Sequence, residues 1–176
     1  YAMLSGITKL IVRVRDLDEL YREACRIAVE EGGFLMSLIT LVDQQHRQSL
    51  PVASAGKDKE LMAAIKALLT STRDAASTMV ARAIREKAAV VSNESETDVR
   101  VLLRAKYAAS GIRSMVVLPL IVLDEAVGVL SLYSSEVGFF QEEELKLLTE
   151  LASDVAYAID YIGKQDRLEY LAYNDE

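Results

Sequence analysis

The sequence predicts an α+β domain with a central antiparallel β-sheet, and three observations support this fold class. Residues 111–134 are the most apolar and most β-rich part of the chain, and they divide into two strands, 113–122 and 126–133, around the polar pair Asp124 and Glu125. The other strands are also joined mainly by hairpins. Amphipathic helices lie at both ends of the chain and in its middle, so helices and strands form separate layers.

The long hairpin is expected in the middle of the sheet. Its two strands are apolar on both faces rather than alternating, so each face must be covered. We therefore expect the terminal helices to cover one face and the middle helices to form a lid over a pocket on the other. Pro119 lies in the first strand of the hairpin. Because proline cannot donate to a strand ladder, we interpret it as a local irregularity in a central strand.

Composition limits the classes of function. The chain has 176 residues, of which 51% are hydrophobic and 27% charged, enough for one domain with a full core. The net charge of -7 argues against a nucleic-acid-binding surface, because such a surface neutralises phosphates with lysine and arginine. The longest apolar run, 115–123, is about half of the roughly 20 residues that a membrane-spanning helix needs. Cys25 is the only cysteine, which excludes an internal disulfide and fits a cytoplasmic location.

The first 31 residues are predicted to form an N-terminal helix. Apolar or small residues recur from Ile7 to Ala28 at alternating spacings of three and four, which is a heptad seam. Two arrangements fit this seam: packing on its own domain, or packing that also pairs with a second copy of the chain. Cys25 lies on this helix and is interpreted as a small buried residue. Gly32 and Gly33 end the helix.

Two strands follow, 34–42 and 50–55, joined by a polar loop that contains His46. His46 is the only histidine and has no second ligand at a suitable spacing, so neither a metal site nor acid–base chemistry is expected there.

The middle of the chain is predicted to be mainly helical. Helices are expected at 57–70 and 77–87, the second with a serine or threonine cap, followed by a short strand at 88–91. A further helix of about ten residues ends before Gly111. The residues expected on its inward side are Val99, Leu102, Leu103 and Tyr107.

The last helix follows the central hairpin and opens with three glutamates, whose charge complements the exposed amides of a helix start. A heptad seam runs from Leu145 to Ile162 and falters beyond Gly163, where Leu168 and Leu171 restart it in a shifted register. The expected organisation is an N-terminal signalling and dimerisation helix at 1–31, a core at 32–138, a C-terminal helix at 139–163 and a linker to a further domain at 164–176.

Five segments, in order, resemble a GAF domain and together cover nearly the whole chain. They are GGFLMSLITLVD at 32–43, PVASAG at 51–56, AIREKAAVVSNE at 83–94, GIRSMVVLPL at 111–120 and the stretch 128–159. The resemblance implies a GAF-like (profilin-like) fold and a cytoplasmic sensory module that holds a small molecule or a partner. It also implies a homodimer through the terminal helices and transmission to a C-terminal effector. Residues 167–176, RLEYLAYNDE, resemble the linker that precedes the GGDEF domain of diguanylate cyclases, so cyclic di-GMP signalling is the expected pathway.

Departures from the family pattern bear on the ligand. Similar domains often have an aromatic residue at the position of Leu38, and glycines and a proline where Thr78, Met79 and Ala81 stand. The implied pocket is more aliphatic, so a planar nucleotide base is less expected.

The known GAF cofactors are not expected. A bilin needs a cysteine near the lid helices, whereas Cys25 is on the first helix; haem needs an axial histidine in the core, whereas His46 is in a loop. The Asn-Lys-Phe-Asp-Glu signature of cyclic-nucleotide GAF domains is absent. A GAF-fold reductase for free methionine sulfoxide would need several cysteines, and the chain has one. No metal is expected.

Seven positions are candidate ligand contacts: Ser37, Leu38, Thr40, Asn93, Tyr107, Arg113 and Ser114. Ser37 and Thr40 lie on opposite faces of one strand, so at most one faces the pocket. Arg113 is the candidate for an anionic ligand, because a guanidinium can hold a carboxylate or phosphate through two hydrogen bonds.

Two alternatives to a sensory module remain open. One is a ligand-free structural dimerisation module whose pocket is filled by its own side chains. The other is a GAF-fold enzyme, which the sequence supports less, because it has one histidine, no glycine-rich phosphate loop and no cysteine pair. We therefore expect a regulatory fragment with no catalytic residues.

Overall fold

The computed structural model describes residues 2–43, 45–46, 48–56 and 58–174. Positions 1, 57, 175 and 176, which fall in the predicted helices and linker, lie outside the described residues. The elements in chain order are α1 (Ala2–Arg13), α2 (Leu17–Glu30), β1 (Met36–Asp43), β2 (Gln48–Ala55), α3 (Lys59–Thr70), a short 3-10 helix (Ala75–Ser77), α4 (Met79–Glu86), β3 (Val90–Ser92), α5 (Arg104–Ala109), β4 (Ser114–Val122), β5 (Glu125–Ser134) and α6 (Glu142–Asn174).

The five strands form one antiparallel sheet in the order β2-β1-β5-β4-β3, which confirms the predicted α+β class. β5 is central and pairs with β1 on one side and β4 on the other. The β4–β5 hairpin turns at Leu123 and Asp124, whose φ angles of 50° and 66° suit the two-residue turn that matches strand twist. The predicted hairpin is therefore in the middle of the sheet.

Pro119 lies in β4 opposite Val129, and the register shifts next to it, between Leu120 and Ile121. On its other side, β4 pairs with β3 only at residues 115–117, so Pro119 lies where β4 has one neighbouring strand. A proline is tolerated there because no ladder on that side needs its missing N–H.

Gly128 lets β1 approach β5 closely. A Cβ at this position would lie 2.4 Å from the carbonyl oxygen of Thr40 and 2.9 Å from Cδ2 of Leu41. Both distances are far below van der Waals contact, so the pairing of these central strands depends on the absence of a side chain at residue 128.

The sheet separates two hydrophobic cores. One side carries Ile39, Val116 and Leu132, which pack against α1, α2 and α6. The other side carries Leu38 and Val117, which pack against α3, α4 and the segment around Tyr107. We call the residues from α3 to α5, apart from β3, the lid. The predicted arrangement of terminal helices on one face and a lid on the other is confirmed.

The N-terminal region forms two helices, so the prediction of one continuous helix is wrong. Asp16 is extended, with φ of -126°, and its side chain accepts a hydrogen bond from the Asp18 amide, which starts α2. The heptad pattern crosses this break because both helices face the same core. The buried seam residues include Ile7, Leu10, Val14, Tyr21, Ala24 and Ala28.

The helix predicted before Gly111 is shorter than expected. α5 spans Arg104–Ala109, and Val99 is 82% exposed, so its inward assignment is wrong. Leu102 is 45% exposed but still lines the space under the lid. Tyr107 is buried as predicted. The reason is that Asp98 Oδ1 accepts from the Arg100 amide at 3.0 Å, a local turn that competes with helix formation.

The remaining lid helices and α6 follow the predicted pattern. Thr78 caps α4, its hydroxyl accepting from the Ala81 amide at 3.1 Å. α6 is 33 residues long and passes through Gly163 without a break, so the segment expected as a linker is helical up to Asn174. Its buried residues end at Ile162.

Candidate functional site

The lid-facing side of the sheet is set by the alternation of side chains along each strand. In β1 this side carries Met36, Leu38 and Thr40, and in β5 it carries Val129, Ser131 and Tyr133, whereas the intervening residues face α1, α2 and α6. The surface is therefore apolar, with two hydroxyl groups near its centre.

A cavity of about 40 Å³ lies between this side of the sheet and the lid. Its floor is formed by Met115, Val117 and Tyr133, and the lid supplies the rest. That volume holds a few water molecules at most, so the lid side chains nearly fill the space. The lid residues that line it are Ile65, Leu68, Leu69, Thr78, Met79, Val80, Arg100, Val101, Leu102, Leu103 and Tyr107. We call this space the lid cavity.

An open groove of about 800 Å³ lies beside the lid cavity. Val42 of β1, Ala81 of α4 and Arg85 are among the residues that line it. Leu69, near the end of α3, lines both spaces. The Leu69 side chain is therefore part of the partition between the groove and the lid cavity.

Three buried hydroxyls on the lid side lack a hydrogen-bond partner among the described residues: Thr40, Ser92 and Ser131. Ser92 and Ser131 lie opposite the cavity residues Met115 and Val117 in the strand register. Ser92 is near the Asp98 carboxylate and Ser131 near Tyr133, but neither pair has hydrogen-bond geometry. A buried hydroxyl without a partner costs about 1–3 kcal/mol. Thr40, Ser92 and Ser131 are not among the residues that line the lid cavity, so a ligand or water reaches these hydroxyls only if that cavity expands.

The polar rim of the lid cavity is an ion pair. The Arg100 guanidinium contacts both carboxylate oxygens of Asp98, at 3.0 and 2.7 Å, and also donates to the carbonyl oxygen of Val91 at 2.7 Å. The hydrogen bond from Arg100 holds the pKa of Asp98 well below its usual range. Arg100 is thus a bridge between the lid and β3 whose guanidinium is already hydrogen-bonded.

Two stacked tyrosines close one wall. The rings of Tyr107 and Tyr133 are 5.5 Å apart with an interplanar angle of 23°. Burial raises the pKa of both hydroxyls, so both rings are neutral at physiological pH. The wall is aromatic but uncharged.

Three of the seven predicted contact residues lie on the lid side. Tyr107 lines the lid cavity, and Leu38 and Thr40 lie on the lid-facing side of β1. Ser37 lies on the opposite face, as its alternation with Thr40 predicts, and donates to the carbonyl oxygen of Cys25 at 2.8 Å. That these residues contact a ligand stays a prediction.

The other three predicted residues lie outside the lid cavity and have structural partners. Asn93 exchanges two hydrogen bonds with the backbone of Phe140, at 3.0 and 2.9 Å. Arg113 pairs with Glu96 at 2.8 Å and donates to a backbone carbonyl of α5 at 3.2 Å. Ser114 donates to the carbonyl oxygen of Glu136 at 2.6 Å. These contacts join the loops that flank β4 and β5.

Sequence reasoning missed Arg100 and Thr78 as cavity residues. Thr78 was named only as a departure from the family pattern, and Arg100 was not singled out from the sequence. The aspartate two residues before Arg100 is the available signal, because Asp often forms a turn with the amide two positions later.

The only cysteine and the only histidine of the sequence lie away from the lid cavity. Cys25 is buried on the helix side of the sheet, and burial raises its pKa to about 12, so the thiol is protonated. His46 pairs with Asp43 at 2.7 Å at the exposed end of the β1–β2 hairpin. Within the described parts of the chain, no three His, Cys, Asp or Glu side chains cluster at metal-binding distances.

None of the helices in the described ranges combines the length and hydropathy that crossing a membrane requires.

Comparison with known proteins agrees with this architecture. A family model described as GAF domain matches residues 14–160. No curated protein matches the chain in sequence. Among solved structures, the GAF domain of a phosphoenolpyruvate-protein phosphotransferase from Coxiella burnetii is similar with a TM-score of 0.76 and 14% identity, covering 94% of this chain and 95% of that one.

Two further solved structures differ in what their proteins do. The free methionine-R-sulfoxide reductase from Neisseria meningitidis, solved with its substrate, has a TM-score of 0.74 and 19% identity over 93% of this chain and 89% of that one. A segment of a methyl-accepting chemotaxis protein has a TM-score of 0.67 and 17% identity over 90% of this chain and 98% of that one. At such identities the similarity establishes the fold alone.

Proposed function

Because the chain belongs to the GAF domain family, whose members are commonly sensory or regulatory domains of signalling proteins, we propose that it is a cytoplasmic regulatory module that binds a small molecule. Its lid cavity is the binding site, and its state passes along α6 to a C-terminal effector. We expect that effector to be a diguanylate cyclase, since residues 167–176 resemble the linker of such enzymes.

One observation supports ligand binding most directly: Thr40 is fully buried on the lid side without a hydrogen-bond partner among the described residues. If this side of the sheet were only a packed core, valine, which has the same shape as threonine, would avoid the free-energy cost of an unpaired buried hydroxyl. A ligand that enters the space under the lid and forms a hydrogen bond with Thr40 would explain why this position carries a hydroxyl.

The surrounding side chains favour a small, uncharged and mainly aliphatic ligand with at least one hydrogen-bonding group. The walls are apolar, both tyrosines are neutral, and Arg100 is held by Asp98. Charged ligands would have to be desolvated without a compensating partner. A cavity of about 40 Å³ must also expand, and displacement of Leu69 would join it to the open groove.

Reduction of methionine sulfoxide, the activity named for one structural neighbour, is not proposed for this chain. Thiol-based reduction of a sulfoxide oxidises the thiol, which a second thiol then commonly resolves as a disulfide. Cys25 is the only cysteine, is buried and protonated, and lies on the other side of the sheet from the lid cavity. We therefore propose a regulatory role rather than a catalytic one.

The test is a thermal-shift screen of neutral aliphatic alcohols, ketones and amides, followed by calorimetric titration of each hit. Thr40→Val should stabilise the ligand-free protein by about 1 kcal/mol, because an unpaired buried hydroxyl is removed, and should weaken a hit about tenfold. Ser37→Ala is the matched control, since its hydroxyl is on the same strand but faces the terminal helices. It should destabilise the fold and leave affinity unchanged.

A structural module with a filled pocket is the second candidate, and the small volume of the lid cavity favours it. The two are distinguished by Leu69→Ala, which should open the partition and increase affinity for hits of the neutral panel. If neither the wild type nor this variant binds any member, the ligand-binding proposal fails and the structural role stands.

The effector proposal is tested separately by reading the gene beyond residue 176 for a GGDEF motif.

A further inference from the structure

A second open groove, of about 690 Å³, lies where β1 and α3 begin. Leu35 and Met36 line it on the side of the sheet, Leu61 lines it on the side of α3, and Ile112 lines it just before β4. Leu35 is a large apolar side chain that is 40% exposed, so the groove presents apolar surface to solvent. We call this space the Leu35 groove.

The Leu35 groove, the lid cavity and the open groove of about 800 Å³ follow one another along α3. The inner side of this helix carries Leu61, Ile65 and Leu69, at spacings of four residues, so each side chain lies about one turn beyond the last. Leu61 lines the Leu35 groove and Ile65 lines the lid cavity. Leu69 lines both the lid cavity and the open groove. One helix therefore covers all three spaces in order.

β1 connects the same two ends on the side of the sheet. Its lid-facing residues are Met36, Leu38, Thr40 and Val42. Met36 lines the Leu35 groove and Val42 lines the open groove, and the six-residue step between them is about 20 Å of strand. The Thr40 hydroxyl, which has no hydrogen-bond partner among the described residues, lies between the two ends and closer to the open groove.

Met36 and Leu61 lie between the Leu35 groove and the lid cavity. Met36 is opposite Tyr133 in the register of β1 and β5, and Tyr133 lines the lid cavity. Leu61 is one turn before Ile65 on α3. All four side chains belong to the lid-side core. Methionine is unbranched and adopts several side-chain conformations at low cost, so Met36 can move aside without a change in the backbone.

The charged groups at the rim of this groove do not favour an ionic ligand. The Asp58 carboxylate accepts hydrogen bonds from the Ser110 hydroxyl and from the Leu61 amide, the latter at 2.9 Å. It is therefore already used to cap α3 and to join that cap to the end of α5. The neighbouring charges of Lys59 and Glu60 are of opposite sign. The apolar wall that remains suits an aliphatic group.

We propose that the ligand is a linear aliphatic molecule with one neutral polar group at its end. The polar group bonds to the Thr40 hydroxyl, and the tail runs under α3, through the expanded lid cavity, to the Leu35 groove. This inference rests on the proposed function and specifies the class of ligand. Four residues of β1 separate Thr40 from Met36, which is about 13 Å of strand. An extended alkyl chain advances about 1.3 Å per carbon, so about ten carbons span this distance.

The test is calorimetric titration with primary alcohols of four, six, eight and ten carbons. The dissociation constant should fall at least tenfold, that is by about 10-fold or more, from the shortest to the longest alcohol, because each added methylene buries further apolar surface. Leu35→Glu places a carboxylate in the Leu35 groove. It should weaken the ten-carbon alcohol about tenfold or more and leave the four-carbon alcohol unchanged, since only the longer tail reaches this groove.

Leu50→Glu is the matched control. Leu50 is 39% exposed on β2, close to the 40% of Leu35, and it lines none of the three spaces. The same substitution there should leave both dissociation constants unchanged. Leu35→Trp repeats the test without a charge, because an indole ring fills the groove and should weaken only the longer alcohols. Thermal unfolding of each variant checks that the fold is kept.

Equal affinity for the short and long alcohols, or equal effects of the two glutamate variants, would overturn the proposal. In either case, binding of the four-carbon alcohol would leave the lid cavity as the site of a compact ligand, so the proposed function would stand. If no alcohol binds the wild-type protein, the proposed function fails together with this inference.

Discussion

Asp98 and Arg100 form an ion pair that connects the lid to the sheet. Asp98 accepts hydrogen bonds from the Arg100 side chain and from its backbone amide, and Arg100 reaches the Val91 carbonyl of β3. The pair therefore fixes the segment between β3 and α5, where sequence alone suggested a helix. The ion pair therefore contributes to the stability of the lid.

The Asp98–Arg100 pair predicts a pH dependence. The pKa of Asp98 is lowered in the folded protein, so this carboxylate stabilises the fold above the unfolded carboxyl pKa of about 4, and the contribution is lost as the pH falls through the lowered folded pKa. Asp98→Asn should cost about 1 kcal/mol at pH 7, because the pair is partly exposed, and the difference from wild type should shrink below pH 4. Urea unfolding at a series of pH values measures this difference.

Asp154→Asn, at an exposed position of α6, is the control for the Asp98 measurement. It should give only a small difference from wild type, because its side chain is exposed and lies outside the ion pair. If the two variants behaved alike, the ion pair would not be a source of stability.

Single residues of the site differ in how far the sequence reveals them. Thr40 and Tyr107 could be predicted because strand alternation and helix periodicity fix the side they face. Arg113 and Asn93 are polar residues beside the central hairpin, but their partners, Glu96 and Phe140, come from other segments of the chain. Arg100 could not be found by periodicity, because its direction follows from a local turn rather than from a regular element.

At the scale of elements, hydrophobic periodicity predicted the strands well and the helix boundaries less well. The heptad seam from Ile7 to Ala28 crosses the extended residue Asp16, because α1 and α2 share one core and both contribute residues in phase. Periodicity indicates which residues face a core, whereas the cap formed by Asp16 decides where α2 begins. The same limit applies to α6, where the pattern changes face near Gly163 although the helix continues.

Gly163 lies within α6, and replacing it should change the stability of this helix. A Cβ at this position would meet no atom within 4 Å, and the residue is helical. Gly163→Ala should therefore stabilise the protein by about 0.5–1 kcal/mol, because alanine loses less backbone entropy in a helix. Circular dichroism and urea unfolding, at a chain concentration that keeps the oligomeric state fixed, measure the effect. An increase in helicity with no change in the unfolding midpoint would mean that the end of α6 melts separately from the core.

At the scale of the whole molecule, the two layers of helices that cover the sheet differ in the length of their helices. On one side the long helix α6 packs with α1 and α2 on β1, β4 and β5; on the other, the lid consists of helices of 12, 8 and 6 residues. The sequence predicted both layers, since each is apolar on the side that faces the sheet. It left open whether the lid fills its own cavity, because that depends on how side chains from separate segments of the chain fit together.

This asymmetry predicts that the lid opens without unfolding the rest. Native-state hydrogen exchange should show the amides of α4 and α5 exchanging about tenfold or more faster than those of β5 and the first half of α6. Short helices that cover a surface with unpaired hydroxyl groups open at a lower free energy than the central strand and the long helix. Leu69→Ala should increase exchange further in the lid alone, since Leu69 packs only in the lid-side core. If the lid and β5 instead exchanged through one common opening, the lid could not admit a ligand independently, and the cavity would be a part of the core rather than a binding site.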